Sequence, residues 1–294
     1  MRGGCSFLFY LVNTLFWAPL LFFTAIVKLM IPVSGWRKFC DRVLNQIATG
    51  WIGVNNFNQR LFSRTRMKTE GLENLEQDQW YMVVANHQSW VDILLLQNIF
   101  NRKIPFLKFF LKKELIWVPI MGLCWWALEF PFMKRYSRKF LEKKPHLKGK
   151  DLEITRKACE KFKHVPVTVM NFVEGTRFTR EKHRRQKSPF KNLLRPKSGG
   201  MAFVLGAMGE QLHYILDVTI VYPHGIKSFW DFLCGKVDEV RVSVKSMDIR
   251  SDMLGDYFQD TKFRTQFQDW LNRQWQEKDR HIDELLSGLP ADTS

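Results

Sequence analysis

The chain has 294 residues, of which 46% are hydrophobic and 14% aromatic, and its formal charge is +16. That length allows one large domain or two small ones around a well-buried core, and the apolar share excludes a disordered chain. A basic, aromatic-rich composition suits a nucleic acid or an anionic lipid surface and does not choose between them.

Taken in chain order, residues 5–27 come first: 23 residues without a charge, bracketed by Arg2 and Lys28. About 20 apolar residues span a bilayer, and no A-x-A-like cleavage site follows, so residues 1–31 read as a membrane anchor rather than a cleaved signal. Pro19 interrupts the run and leaves a kinked or half-buried hairpin open. Lys28, Arg37, Lys38 and Arg42 follow the segment and only Arg2 precedes it, which puts the remainder of the chain on the cytoplasmic side. Within residues 32–65, Trp36, Phe39, Cys40, Val43, Ile47 and Trp51 recur at helical spacing beside basic residues. This is an amphipathic helix, suited to the membrane interface or to packing on a domain.

From residue 66 to 294 the pattern is α/β. Residues 81–85 (YMVVA) form a short apolar run, as a buried strand would, and 91–100 a helix. Residues 115–133 are apolar and aromatic but broken by Pro119, Gly122, Glu129 and Pro131, so they suit an acyl-chain tunnel, a membrane-facing patch or plain core rather than a second spanning helix. A helix is expected at 151–163 with Asp151 as its cap, strands at 167–173 and 215–222, and a helix at 199–212. Val240, Val242 and Val244 alternate with Arg241, Ser243 and Lys245 in a strand with one wet face. The last helix, 261–286, carries Phe263, Phe267, Trp270, Leu271 and Trp275 on one side. The expected fold is a mixed sheet flanked by helices, its final strands open to an antiparallel arrangement. The five cysteines (Cys5, Cys40, Cys124, Cys159, Cys234) are widely spaced and form no C-x-x-C, so neither a disulfide framework nor a metal site is expected, and a reducing compartment is.

Chemistry concentrates at strand ends. In NHQSWVD, His87 follows the first buried strand and Asp92 falls in the first turn of the next helix. An imidazole there can take a hydroxyl proton near neutral pH, and a carboxylate on its other nitrogen fixes the tautomer. The spacing alone carries little, because His146 and Asp151 share it in a charged run with no strand before it; the strand–loop–helix setting favours His87. Glu174-Gly175-Thr176-Arg177 follows a second strand: Gly175 lets backbone N–H groups approach a ligand, and Arg177 offers a fork for phosphate, although the same residues also suit a tight turn. Lys134 and Arg135 follow an apolar stretch, as a phosphate site at the mouth of a greasy pocket would. Residues 134–150 carry eight Lys/Arg and 177–197 carry nine, each with one Glu. Such runs are solvated faces, or they hold anionic lipid or an acidic acyl donor.

The order H-x-x-x-x-D, F-x-x-R, E-G-T-R resembles the glycerolipid and lysophospholipid acyltransferase family, that of 1-acylglycerol-3-phosphate acyltransferase. The matching blocks are 86–92, Phe132 with Arg135, and 172–177, and the resemblance covers residues 66–223. It implies an α/β acyltransferase domain with an N-terminal membrane-anchoring helical segment. It also implies a fatty acyl transfer from acyl-CoA or acyl carrier protein (acyl-ACP) to the hydroxyl of a lysophospholipid, with no covalent acyl-enzyme, no cofactor and no metal. By the resemblance His87 is the base and Asp92 its orienting partner, while Arg135, Glu174, Gly175 and Arg177 bind the acceptor; Lys134 and Thr176, beside them in the sequence, are further candidate substrate-binding residues. Glu129 stands where the second block usually has Gly, and Val218-Thr219-Ile220 where the fourth usually has V-P-V. Both departures resemble the lysocardiolipin and lysophosphatidylinositol acyltransferase branch and suggest a bacterial, inner-membrane member of it. Two rivals remain at this point. One is a nucleic-acid-binding protein, against which the apolar N-terminus counts. The other is a membrane scaffold on a degenerate acyltransferase fold.

Overall fold

A computed structural model describes residues 1–133, 165–209 and 211–287. The expected helix at 151–163, the basic run at 134–150, the pair His146 and Asp151, and the candidate residues Lys134 and Arg135 lie outside the described residues.

Two long helices open the chain, α1 (Arg2–Met30) and α2 (Ser34–Asn58). The cross-links Ser6–Asn58, Asn13–Asn55 and Lys28–Asp41 set them antiparallel. Cys40, Leu44, Ala48 and Ile52 fall on one face of α2 and are buried. Leu44 and Ala48 pack with Leu21 and Ala25 of α1. That face of α2 is therefore packed on protein, whereas Phe39 of the expected stripe is exposed. α1 is long and apolar enough to cross a membrane. One of its faces is packed, and the polar Ser6 and Asn13 turn to α2. The other face leaves Phe7, Leu11, Phe16, Leu20 and Phe23 exposed. Such a surface favours hydrocarbon over water.

The sheet has six strands in the order β1 (Arg66–Glu70), β8 (Glu239–Asp248), β7 (Tyr214–Val221), β2 (Tyr81–Ala85), β6 (Thr168–Phe172), β3 (Leu107–Phe109). Every neighbouring pair is parallel except β7 with β8. β2 is buried at all five positions, because it has partners on both sides and helices on both faces. Met82 and Val84 join a core with helix α6 (Ser198–Met208) and the last helix, α8 (Thr261–Ser287). Tyr81, Val83 and Ala85 join the opposite core with α3 (Val91–Phe100) and α7 (Phe229–Leu233). That alternation is the period-two signature of a central strand. β1, a polar edge strand, had no signal in the sequence.

Residues 115–133 contain no second spanning helix. They hold part of a 3-10 turn (Lys113–Trp117), the short α4 (Met121–Ala127), and β5 (Phe132–Met133), which pairs with β4 (Leu111–Lys112). Glu129 has φ +57, a left-handed conformation that suits glycine. Its side chain reaches Lys28 of α1 at 2.8 Å. The unusual residue in the second block thus ties α1 to the domain.

Register brings the chemistry to one edge. Ala85 lies level with Phe172 on one side and Val218 on the other, so β2 and β6 end together. Asn86 extends the ladder with its side chain, which donates to Ile220 O at 2.9 Å and accepts from Ile220 N at 2.8 Å.

Candidate active site

His87 stands in the loop between β2 and α3, and Asp92 is the second residue of α3. The two meet at Nδ1–Oδ2, 2.9 Å. The same carboxylate oxygen accepts Gln88 N at 2.7 Å and Ser89 N at 2.9 Å, while Oδ1 accepts the Tyr222 hydroxyl at 2.5 Å. Asp92 is 0% exposed, and these donors offset the cost of burying its charge. The first turn of a helix adds a favourable dipole. A carboxylate at Nδ1 requires the proton there, which leaves the lone pair of His87 on Nε2. Among the described residues Nε2 has no hydrogen-bond partner. The ring lies flat on Phe172, with centroids 3.9 Å apart and planes at 14°.

The loop after β6 is locked to the His87 loop. His87 N donates to Glu174 Oε1 at 3.0 Å, Leu194 N donates to Oε2 at 3.3 Å, and Phe178 N donates to His87 O at 2.7 Å. Glu174 is fully buried, with both oxygens on backbone amides. It therefore joins three segments and does not face the cavity as an acceptor-binding group would. Burial pushes its carboxyl up to about 8 and nearby Asp92 adds to that; the two amides and Lys278 act the other way. Gly175 has φ +68, which favours glycine, and a Cβ there would lie close to the Lys197 side chain at 3.2 Å. Thr176 Oγ1 accepts Lys182 Nζ at 2.8 Å, and that ammonium also holds Arg177 O at 2.9 Å. The Arg177 guanidinium sits 4.6 Å above the exposed Trp90 ring, a cation held by a π face.

An apolar cavity of about 350 Å³ runs from His87 between the helix pair and the domain. Trp17 and Leu21 of α1, Trp51 of α2, Leu94 of α3, Phe109, and Cys124 of α4 are among its walls. Leu115, Met121, Cys124, Trp125, Leu128 and Phe130 thus supply part of the cavity wall. Trp17 lies against Gly50, where a Cβ would come within 2.7 Å of the indole, so α1 and α2 approach closely beside the cavity.

Three residues of this site carried no signal that the sequence reasoning used. Tyr222 was read only as the end of a strand, yet a phenol closing an aliphatic strand at the edge that bears His87 is a recognisable cue. Lys197 reaches Gly175 across 22 residues, and its amide donates to Val173 O at 2.7 Å. Lys278 lies in the apolar stripe of α8, fully buried, 2.7 Å from Asp217 and donating to Val218 O at 2.6 Å. Burial lowers its ammonium, and Asp217 and Glu174 restrain the shift.

A His–Asp pair at the carboxyl edge of a mixed sheet thus lies beside an apolar cavity. The acyltransferase family model matches residues 66–226, and the chain belongs to that family. It is 27% identical over 263 residues to 2-acyl-1-lysophosphatidylinositol acyltransferase of Saccharomyces cerevisiae, covering 70% of this chain and 61% of that protein. It is 23% identical over 308 residues to lysocardiolipin acyltransferase 1 of Danio rerio, covering 98% and 72%. The chain therefore spans less than two thirds of the yeast relative. The crystal structure of the 1-acyl-sn-glycerophosphate acyltransferase PlsC from Thermotoga maritima shares the fold, with a TM-score of 0.53 at 19% identity, covering 99% of this chain and 100% of that one.

Proposed function

We propose that this protein transfers a fatty acyl group from acyl-CoA or acyl-ACP to the free hydroxyl of a lysophospholipid at a membrane. The observation that carries the reading is an imidazole oriented by Asp92 at 2.9 Å in a residue that lines an apolar cavity of about 350 Å³. The acyl chain occupies the cavity with its thioester carbonyl beside His87. The acceptor hydroxyl donates to Nε2, which takes the proton as the oxygen attacks the carbonyl. The tetrahedral intermediate collapses with loss of the thiolate, which recovers the proton from the imidazolium. The products are a diacyl phospholipid and a free thiol, with no covalent acyl-enzyme, metal or cofactor.

Arg177 and Lys197 stand beside the Gly175 turn as cations for the acceptor phosphate. Arg135 joins them by the resemblance, and Lys134 by its place beside Arg135 after the apolar stretch. Relatives named for lysophosphatidylinositol, lysocardiolipin and 1-acylglycerol-3-phosphate share a glycerol next to a phosphate, so the acceptor class is a lysoglycerophospholipid. The outer face of α1, with exposed Trp117, Leu123 and Trp126, lies in lipid. The basic flank after α1 keeps the catalytic side on the cytoplasmic face.

The test is an assay of the purified chain with a panel of lysophospholipids against acyl-CoA and acyl-ACP, reading diacyl product and free thiol. His87→Ala is expected to lower turnover by roughly 10²–10⁴-fold with the fold intact. Absence of turnover with every pair, or full activity in H87A, overturns the reading.

A further inference from the structure

We infer that Tyr222 is a positioning residue of this site, whose hydroxyl on the outer oxygen of Asp92 sets how strongly Asp92 holds the proton that His87 takes up. The inference rests on His87 being the base.

The two oxygens of Asp92 are unequally served. Oδ2 receives His87 and two backbone amides, whereas Oδ1 receives the Tyr222 hydroxyl at 2.5 Å. Tyr222 is buried one residue beyond β7. Its placement is built in. The Asn86 side chain clasps both the amide and the carbonyl of Ile220, two residues before Tyr222 and next to His87. The base and the phenol are thereby held in one register. Burial and the neighbouring Asp92 raise the phenol well above its ordinary range, so it remains a donor.

A donor on Oδ1 draws carboxylate charge towards itself and leaves less for the imidazolium at Oδ2. Without that donor the imidazolium is favoured, and His87 is protonated, and idle as a base, to higher pH. The other ionisable groups facing the pair among the described residues are Glu174 at the end of β6, Arg177 over Trp90, and Lys278 on α8 behind Glu174. None of them touches Oδ1, so Tyr222 can be removed without disturbing their contacts.

The experiment uses the full chain in detergent or lipid, as wild type and as Tyr222→Phe, which keeps the ring and its packing. Side-chain NMR titration of the histidines, with His87 assigned by comparison with H87Q, is expected to show the His87 midpoint rising by about one pH unit in Y222F. The acid limb of kcat/KM is expected to rise with it. Above that limb the variant should stay within a few-fold of wild type, with KM for the acceptor unchanged. A midpoint that stays in place, or a loss of activity equal at every pH, overturns the proposal. The titration needs no turnover, so it decides the role of Tyr222 even if the panel assay sinks the acyltransfer reading.

Discussion

The loop that carries His87 and the helix pair on the far side of the cavity enclose the same space and are held by different forces. Around His87 the buried polar groups are densely partnered: Asn86 on Ile220, Asp92 on its own loop and on Tyr222, Glu174 on two amides. Where α1 and α2 wall the cavity the contact is apolar, Leu21 and Ala25 against Leu44 and Ala48, with polar cross-links such as Ser6–Asn58 and Lys28–Asp41 towards the ends; buried Asn55 Nδ2 and Asn56 Oδ1 have no hydrogen-bond partner among the described residues. A polar network of this kind fixes atoms closely, and it fails sharply when a charged member such as Asp92 is lost. An apolar wall fixes volume and tolerates exchange of similar shapes. Changes in the loop should therefore abolish chemistry, and changes in the helix pair should alter which chain fits.

The largest effect tests the first half of that contrast. In Asp92→Asn the amide oxygen can keep the Gln88 and Ser89 amides, and its NH2 can turn to the Tyr222 oxygen. The geometry survives and only the charge is lost. Turnover is expected to fall on the order of 10²–10⁴-fold with little change in KM for the acceptor. A fall of only a few-fold, measured under saturating acyl donor, would mean that orientation and not charge is what Asp92 provides.

The same contrast explains what could be read from the sequence. The central strands, α3 and α8 announce themselves because burial writes a local pattern: five apolar residues in β2, and Phe267, Leu271 and Trp275 along α8. His87 and Asp92 were legible because both lie within one strand–loop–helix unit. Tyr222, Lys197 and Lys278 were not, because they reach the site through sheet register and packing across 130, 22 and 60 residues, which no local period records. Glu174 was legible as a site residue but not as a buried join, because its partners are backbone amides, which carry no letter in the sequence. The pairing of α2 with α1 was open for a related reason: an apolar stripe says that something covers it, not what.

A middle-sized effect tests the tolerant wall. Ala18 of α1 is buried and lines the cavity. Ala18→Phe puts a ring into that space at a packing cost of about 1–3 kcal/mol. Turnover of long acyl donors is expected to fall about tenfold relative to short ones, since each displaced methylene is worth about 0.8 kcal/mol. Competition between acyl-CoA lengths in one reaction reads this ratio directly. An equal loss at all lengths would show that the cavity wall acts on the catalytic loop, and the two regions would no longer be separable.

The smallest effect concerns the join between the loops. Because burial raises Glu174 to about 8, the folded chain keeps its proton where an unfolded chain, with an ordinary value of 4.5, has released it. The unfolded state binds fewer protons across that window, so this group makes stability fall as pH rises from about 4.5 to about 8. Glu174→Gln removes the titration. It also leaves one of the two backbone amides facing an NH2, so the variant is expected to be less stable overall by about 1–3 kcal/mol. Its Tm should nevertheless decline less than that of wild type between pH 5 and pH 8, with a difference of about a few degrees. Melting curves of both proteins at those two values separate the effects, because the lost hydrogen bond shifts both curves and the lost titration changes only the slope. If the slopes coincide, the two amides and Lys278 hold Glu174 ionised throughout, and the segments beneath His87 are joined by a charge rather than by a neutral acid.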